Sequence, residues 1–239
     1  MILAGGRGTR LNEHTKEHNK CMLKFGEKHL IEYSLENALK LAVTQLVIVV
    51  GHLAERIINR FGNSYEEIPI KYVFQREQRG LVHAIKCSRE TIGDADFLLL
   101  LGDEFFIEPE HEALMEEYNK GDSLAVCGVI RVDDRNQISK TYSILFDKET
   151  KQIFRLIEKP QNPTNSLMGT GNILFKNKIL DYIEQTPINQ KRKEQELPDL
   201  IQCAIDDGKK VVYRLMGSTY VNVNTLEDIT IIKEQLMKK

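Results

Sequence analysis

Cations and glycines crowd the first twenty residues of this chain. The run Leu3-Ala4-Gly5-Gly6-Arg7-Gly8-Thr9-Arg10-Leu11 follows a short apolar start, and Asn19-Lys20 comes soon after. Glycine lets a backbone take positive φ and approach a ligand closely. Successive exposed N–H groups in such a loop make a concave anion site. Arg7, Arg10 and Lys20 bring positive charge to it. The chemistry this suits is the binding of a polyphosphate. Two common phosphate loops are excluded. The string G-x-x-x-x-G-K-S/T does not occur. The dinucleotide fingerprint G-x-G-x-x-G fails because Leu11 stands where its third glycine belongs.

The elements that must position these groups are legible as hydrophobic patterns. Leu46–Val50 and Phe97–Leu101 are continuous apolar runs, as in parallel strands buried on both faces. Residues 29–42 carry Leu30, Ile31, Leu35, Ala38, Leu39 and Ala42 at helical spacing. Further helices are predicted around 53–61 and 80–92, with a strand over 70–74. This alternation predicts an α/β fold: a single-domain, doubly wound, mixed but mostly parallel sheet. Ligands of such sheets sit beyond the carboxyl ends of the strands. The Gly5–Arg10 loop, Gln75 to Gly80, and Gly102-Asp103 all fall at such ends.

The second half is less regular. Its patterns predict a helix near 110–119, a strand over 123–131 and a hairpin of 142–146 with 152–157. A loop at 161–166, a strand over 170–175, helices at 178–184 and 198–207 and a strand over 210–215 follow. The charged stretch 188–196 reads as mobile. Thr225 reads as an N-cap with Asp228 three residues on, opening a last helix with Ile229, Ile232 and Leu236 inward.

The run from Leu3 to Leu11, taken with Lys20, resembles the signature of the nucleoside-triphosphate transferase family, the sugar-1-phosphate nucleotidylyltransferases. The likeness extends over nearly the whole chain. It implies a Rossmann-like nucleotidyltransferase domain over 1–239, with a nucleotide-binding half in 1–120 and an acceptor-binding half and closing helix in 121–239. It also implies a reaction in which a phosphate ester attacks the α-phosphorus of a nucleoside triphosphate and pyrophosphate leaves. By this resemblance Arg10 and Lys20 are the catalytic cations. Leu3, Ala4, Gly5, Gly6, Gly8, Thr9 and Gly102 are expected at the nucleotide. The segment from Phe74 to Ala84 resembles the base-recognition segment. There Gln75 would offer its amide to a pyrimidine edge and Gly80 would admit the base.

Leu101-Gly102-Asp103 resembles the metal-binding aspartate of the family. Asn222 stands where many relatives place a second aspartate, with Asn224 as the alternative register. Asp103 and Asn222 are therefore expected to hold Mg²⁺, a hard cation that needs few protein ligands when phosphates are present. Glu158-Lys159-Pro160 resembles the E-K-P motif, which puts Lys159 on the acceptor's phosphate and Glu158 on its sugar. Asn172 is expected on the same acceptor side, with Glu196 and Asp199 near it. Asn19 replaces a proline usual before the lysine, which is expected to loosen that lysine. Ser143 replaces a glycine that gives a sugar ring room. With Asn172, it tilts the acceptor slightly from a sugar 1-phosphate, the default, toward phosphocholine, phosphoglutamine or a phosphonate with CTP as donor. A catalytically inactive, nucleotide-sensing subunit would be marked by loss of Arg10, Lys20, Asp103 or Lys159, and all four are present.

Composition narrows the partners. A formal net charge of −2 gives no reason to expect nucleic acid or an anionic membrane. No apolar run approaches the roughly 20 residues of a membrane span. Cys21, Cys87, Cys127 and Cys203 are scattered in apolar surroundings without a C-x-x-C pair. They read as buried free thiols in a reducing cytoplasm. The expected partners are the two small-molecule substrates. The nucleobase, the acceptor and the oligomeric state, a homo-oligomer included, stay open.

Overall fold

The structure is a computed structural model, and it describes residues 1–6, 8, 19–107, 109–217 and 219–237. In chain order the first half gives β1 (Ile2–Leu3), the hairpin of β2 (Lys24–Phe25) and β3 (Lys28–His29), α1 (Leu30–Leu39) and β4 (Leu46–Val50). Then come α2 (Ala54–Phe61), β5 (Ser64–Tyr65), β6 (Ile68–Phe74), α3 (Leu81–Cys87), α4 (Arg89–Ile92), β7 (Phe97–Leu101), β8 (Glu104–Ile107) and α5 (His111–Tyr118). The second half gives β9 (Ala125–Arg131), β10 (Tyr142–Phe146), β11 (Ile153–Glu158), β12 (Leu167–Phe175), β13 (Ile188–Asn189) and β14 (Glu194–Gln195). It ends with α6 (Leu197–Asp206), β15 (Val211–Leu215), β16 (Thr219–Asn222) and α7 (Leu226–Met237).

Among the described residues ten strands form one sheet, in the order β11-β10-β12-β7-β1-β4-β6-β5, with β9 between β12 and β15. β7, β1, β4 and β6 are parallel, so their carboxyl ends share one edge. The continuous apolar runs follow from burial on both faces. Phe97, Leu99 and Leu101 enter one core cluster while Leu98 and Leu100 enter the other. β12 runs antiparallel to β7, and its register with β9 shifts between Gly169 and Ile173. Within that irregularity Gly171 N donates to the Glu104 carboxylate. The α/β fold with a mixed, mostly parallel sheet is the one expected. No helix among the described residues is long and apolar enough to cross a membrane.

Three expectations are corrected. The helix over 80–92 is two helices meeting at Ser88, whose hydroxyl donates back to the Ala84 carbonyl. The helix at 178–184 is a 3₁₀ helix, Asn177–Gln185. The stretch 188–196 contains a built hairpin. The Asn189 side chain accepts from the Lys191 and Arg192 backbones, and Gln195 Nε2 donates to the Ile183 and Thr186 carbonyls.

Candidate active site

A cavity of about 470 Å³ opens at the carboxyl edge of the parallel strands. Of the residues singled out in the sequence, Leu3, Ala4, Gly5, Gly6, Gly8, Lys20, Gln75, Gly80, Asp103, Glu158, Lys159 and Asn222 line it. Gly102 lies just beneath. A Cβ there would press on Cys21 Sγ at 3.1 Å and Ala4 Cβ at 3.3 Å. Thr9 and Arg10 lie outside the described residues.

Lys20 begins a 3₁₀ turn, Lys20–Met22, capped by Asn19. The asparagine does not loosen the lysine. It is fully buried, its Oδ1 accepts from Cys21 N at 2.9 Å, and its Nδ2 donates to the Ala4 and His52 carbonyls at 3.2 and 2.8 Å. One side chain thus ties the lysine's turn to the ends of β1 and β4, which a proline could not do because it carries no side-chain hydrogen-bonding group. The Lys20 ammonium forms an ion pair with Asp103 and lies 3.5 Å from Asn224 Oδ1.

The end of the cavity expected to take the base lies where β1, β4 and β6 finish. Gln75 is buried, and its Nε2 donates to the Gly80 carbonyl at 3.0 Å. Gln78 Nε2 donates to the Gly5 carbonyl at 2.9 Å. A Cβ on Gly51 would sit 2.6 Å from the Gly5 carbonyl, so only glycine lets these two strand ends touch. Gly80 has φ +90°, and a Cβ there would meet Gln195 O and Glu194 Cβ at 3.0 Å. The hairpin of β13 and β14 therefore leans on the base segment.

Asp103 and Asn222, far apart in sequence, come together through the β8–β16 pair. Asn222 is in register with Glu104, and Val223 N donates to the Asp103 carbonyl at 3.0 Å. Asn224 Nδ2 donates to Asn222 Oδ1 at 2.9 Å. Asp103 and Asn222 thus bring a carboxylate and an amide oxygen to the same wall of the cavity. Among the described residues no cluster of three or more acidic, histidine or cysteine side chains could hold a metal alone. Hard oxygens in small number fit Mg²⁺ completed by water and phosphate rather than zinc or a protein-caged ion.

On the opposite rim Lys159 has positive φ of 44°, and its Nζ lies 2.9 Å from Glu158 Oε1. Arg192, on the β13–β14 turn, reaches the same carboxylate at 3.2 Å and Glu196 at 2.7 Å. Burial, reinforced by the Glu158 charge, raises the Glu196 pKa. Glu196 lines the cavity and Asp199 does not. Sequence reasoning missed Arg192 because its stretch reads only as charged. The basic residue four positions before Glu196 was the available signal.

Asn172 is not brought to the cavity surface. It is buried, its Nδ2 donates to Glu104 Oε2 at 2.7 Å, and its Oδ1 lies 2.8 Å from His111 Nε2. Ser143 is also buried and off the cavity, paired in register with Ile157 and Met168. Glu104, buried but among the residues that line the cavity, accepts from Gly171 N at 2.8 Å and the Tyr220 hydroxyl at 2.6 Å as well as from Asn172. Burial outweighs these three donors and pushes its carboxyl up to about 8. Glu104 was missed because a residue after Asp103 reads as a turn.

Comparisons with known proteins identify the family. The family model described as nucleotidyl transferase matches residues 1–238. The UTP–glucose-1-phosphate uridylyltransferase AglF of Haloferax volcanii is 30% identical over 212 residues, 88% of this chain and 85% of that protein. The low-salt glycan biosynthesis nucleotidyltransferase Agl11 of the same organism is 28% identical over 246 residues, all of this chain and 67% of its own length. A UDP-glucose pyrophosphorylase structure complexed with UDP-glucose superposes with a TM-score of 0.90 over 99% of this chain and 97% of that one. At 23% identity that likeness shows the fold alone. With its whole described fold and nearly its whole sequence matched, this chain belongs to the nucleotidyl transferase family.

Proposed function

We propose that this protein joins a nucleoside triphosphate with a pyrimidine base to a sugar 1-phosphate, giving an NDP-sugar and pyrophosphate. One observation carries the reading. One cavity is lined by Gln75 and Gly80, by Lys20 in an ion pair with Asp103 beside Asn222, and by Lys159, which suits a base, a polyphosphate and an acceptor phosphate in turn. An acceptor phosphate oxygen at Lys159 would form the new bond to the α-phosphorus. The bond from the α-phosphorus to the bridging oxygen breaks, and pyrophosphate leaves with the electron pair. The nucleophile is already an anion, so the step asks for positioning and positive charge more than for a base.

Lys20 supplies charge at the phosphates, with Arg10 as its expected companion. The Lys20 ammonium is held by Asp103. Asp103 and Asn222 would hold a divalent ion, which when bound neutralises phosphate charge and orients the α-phosphate. Lys159 and Arg192, now paired with Glu158 and Glu196, would turn to the acceptor's phosphate, and Glu158 would be released toward the sugar. The labour divides near residue 120, with the nucleotide held by the first half and the acceptor by the second.

The uridylyltransferase relative supports a sugar acceptor. The two residues that tilted the sequence toward a non-sugar acceptor, Ser143 and Asn172, both face away from the cavity. All four cysteines are free, which suits the reducing cytoplasm proposed for this reaction. The test is pyrophosphate release from UTP, dTTP, CTP, ATP and GTP, each against glucose 1-phosphate, N-acetylglucosamine 1-phosphate and phosphocholine. Turnover with a pyrimidine nucleotide and a sugar 1-phosphate is expected. Release only with phosphocholine, or with no pair, overturns the reading.

A further inference from the structure

The amide of Gln75 is oriented by groups that leave it only one role. Its Nε2 lies 3.0 Å from the Gly80 carbonyl and 3.2 Å from His83 Nδ1. A backbone carbonyl can only accept, so the NH₂ end of the amide must face Gly80. Its second N–H is then aimed at His83, which requires Nδ1 to be bare. Cys87 Sγ lies 3.8 Å from Nε2 and 4.0 Å from Nδ1, so the tautomer is set by Gln75 and not by the thiol. Both amide protons are thereby used. Oε1 is left over the Gly5 backbone, 3.1 Å from where a Cβ on that glycine would sit. Both Gln75 and Gly5 line the cavity, and among the described residues no donor meets Oε1.

We infer that His83 is a positioning residue that fixes the Gln75 amide with only its carbonyl toward the base, and so selects the imide edge of uracil or thymine over cytosine. The inference rests on the proposed nucleotide reading of this cavity. An imide presents an N3–H that Oε1 can accept. Cytosine N3 carries a lone pair instead and would face Oε1 acceptor to acceptor. His83 sits in the first turn of α3, directly after Gly80. One turn of chain therefore supplies both groups that hold the amide.

The experiment is calorimetric binding of UTP and CTP in Mg²⁺ buffer, which needs no turnover. The native protein is expected to prefer UTP by roughly tenfold or more, the loss that follows from leaving a buried polar group unpaired. His83→Leu keeps bulk but removes one of the two acceptors that hold the NH₂ end, leaving the Gly80 carbonyl alone, and should narrow the preference for UTP. His83→Asn places an oxygen near the Nδ1 position and should restore the preference. The KM of the acceptor should stay unchanged in both, which a general packing defect would not give. An unchanged preference in His83→Leu, or equal binding of UTP and CTP by the native protein, overturns the inference. Should the leucine variant fail to fold, nitrogen NMR of the native protein decides, because a proton on His83 Nδ1 is incompatible with it. Selective UTP binding without pyrophosphate release from any sugar 1-phosphate would sink the proposed function and leave this inference standing.

Discussion

Charge at single atoms decides most of what this site can do, because phosphoryl transfer asks the protein for electrostatics. Lys20 is pinned from below by Asn19 and tethered from above by Asp103, so its ammonium has little freedom to lose on binding. Lys20→Ala should lower kcat by about 10²–10³, as does loss of one preorganised charge-stabilising donor elsewhere. It should move substrate KM values little, because the charge matters most as pyrophosphate departs. Near-normal turnover in that variant would remove Lys20 from the chemistry. Lys159 is different in kind. In the proposed reaction its charge would meet the acceptor's phosphate in the ground state, so Lys159→Ala should raise the acceptor's KM by roughly tenfold or more while leaving that of the nucleotide near normal. Steady-state kinetics with each substrate varied in turn separates the two roles, and an unchanged acceptor KM counts against the second.

Elements place those atoms, and how far they could be read from the sequence depends on how local their causes are. Leu46–Val50 and Phe97–Leu101 were legible because burial on both faces leaves an unbroken apolar run. The glycines and Lys20 were legible because the phosphate chemistry of their types is local. β8 and β16 were not, since four residues each give no period, and their pairing is decided by a partner more than a hundred residues away. Asn172 was misplaced for a related reason. It lies within the register shift of β12 against β9 and is buried against Glu104, and no pattern in one strand announces a shift set by its neighbour.

The same register shift makes a prediction at its own scale. A Cβ on Gly169 would fall inside the Tyr142 ring, which is buried and donates its hydroxyl to the Thr170 carbonyl at 3.1 Å. Gly169→Ala should therefore destabilise the fold by about 1–3 kcal/mol, read as a lower urea midpoint, as overpacking does. Wild-type stability would mean that Tyr142 does not rest there. Glu104 adds a pH signature. Its carboxyl is raised from 4.5 to about 8, so the folded chain binds its proton more tightly than the unfolded one. Its contribution is full below the unfolded value and is lost as pH rises through the folded one. Glu104→Gln should flatten the fall in urea midpoint between about pH 5 and about pH 9, and an equally steep fall in that variant would refute the assignment.

At the scale of the whole molecule, the proposed metal site is the feature that no single element contains. Asp103 ends the last parallel strand of the first half, and Asn222 closes a strand reached only after the chain has built the entire acceptor side. They share a wall because β16 pairs with β8 and Val223 donates to the Asp103 carbonyl. One carboxylate and one amide oxygen are a thin set, so Mg²⁺ should bind weakly to the free chain and well only with a nucleoside triphosphate, whose oxygens and water complete the octahedron. Calorimetry of Mg²⁺ with and without UTP measures this directly. Asp103→Asn removes the charged ligand, frees Lys20 from its ion pair, and should abolish most activity and most of the UTP-dependent Mg²⁺ binding. Asn222→Asp adds a charge where the amide oxygen stands and should tighten Mg²⁺ while preserving turnover. Chelation should stop pyrophosphate release, and Mg²⁺ or Mn²⁺ should restore it. Mg²⁺ affinity that is indifferent to both substitutions would show that the ion is held elsewhere, and the assignment of Asp103 and Asn222 as its ligands would then fail.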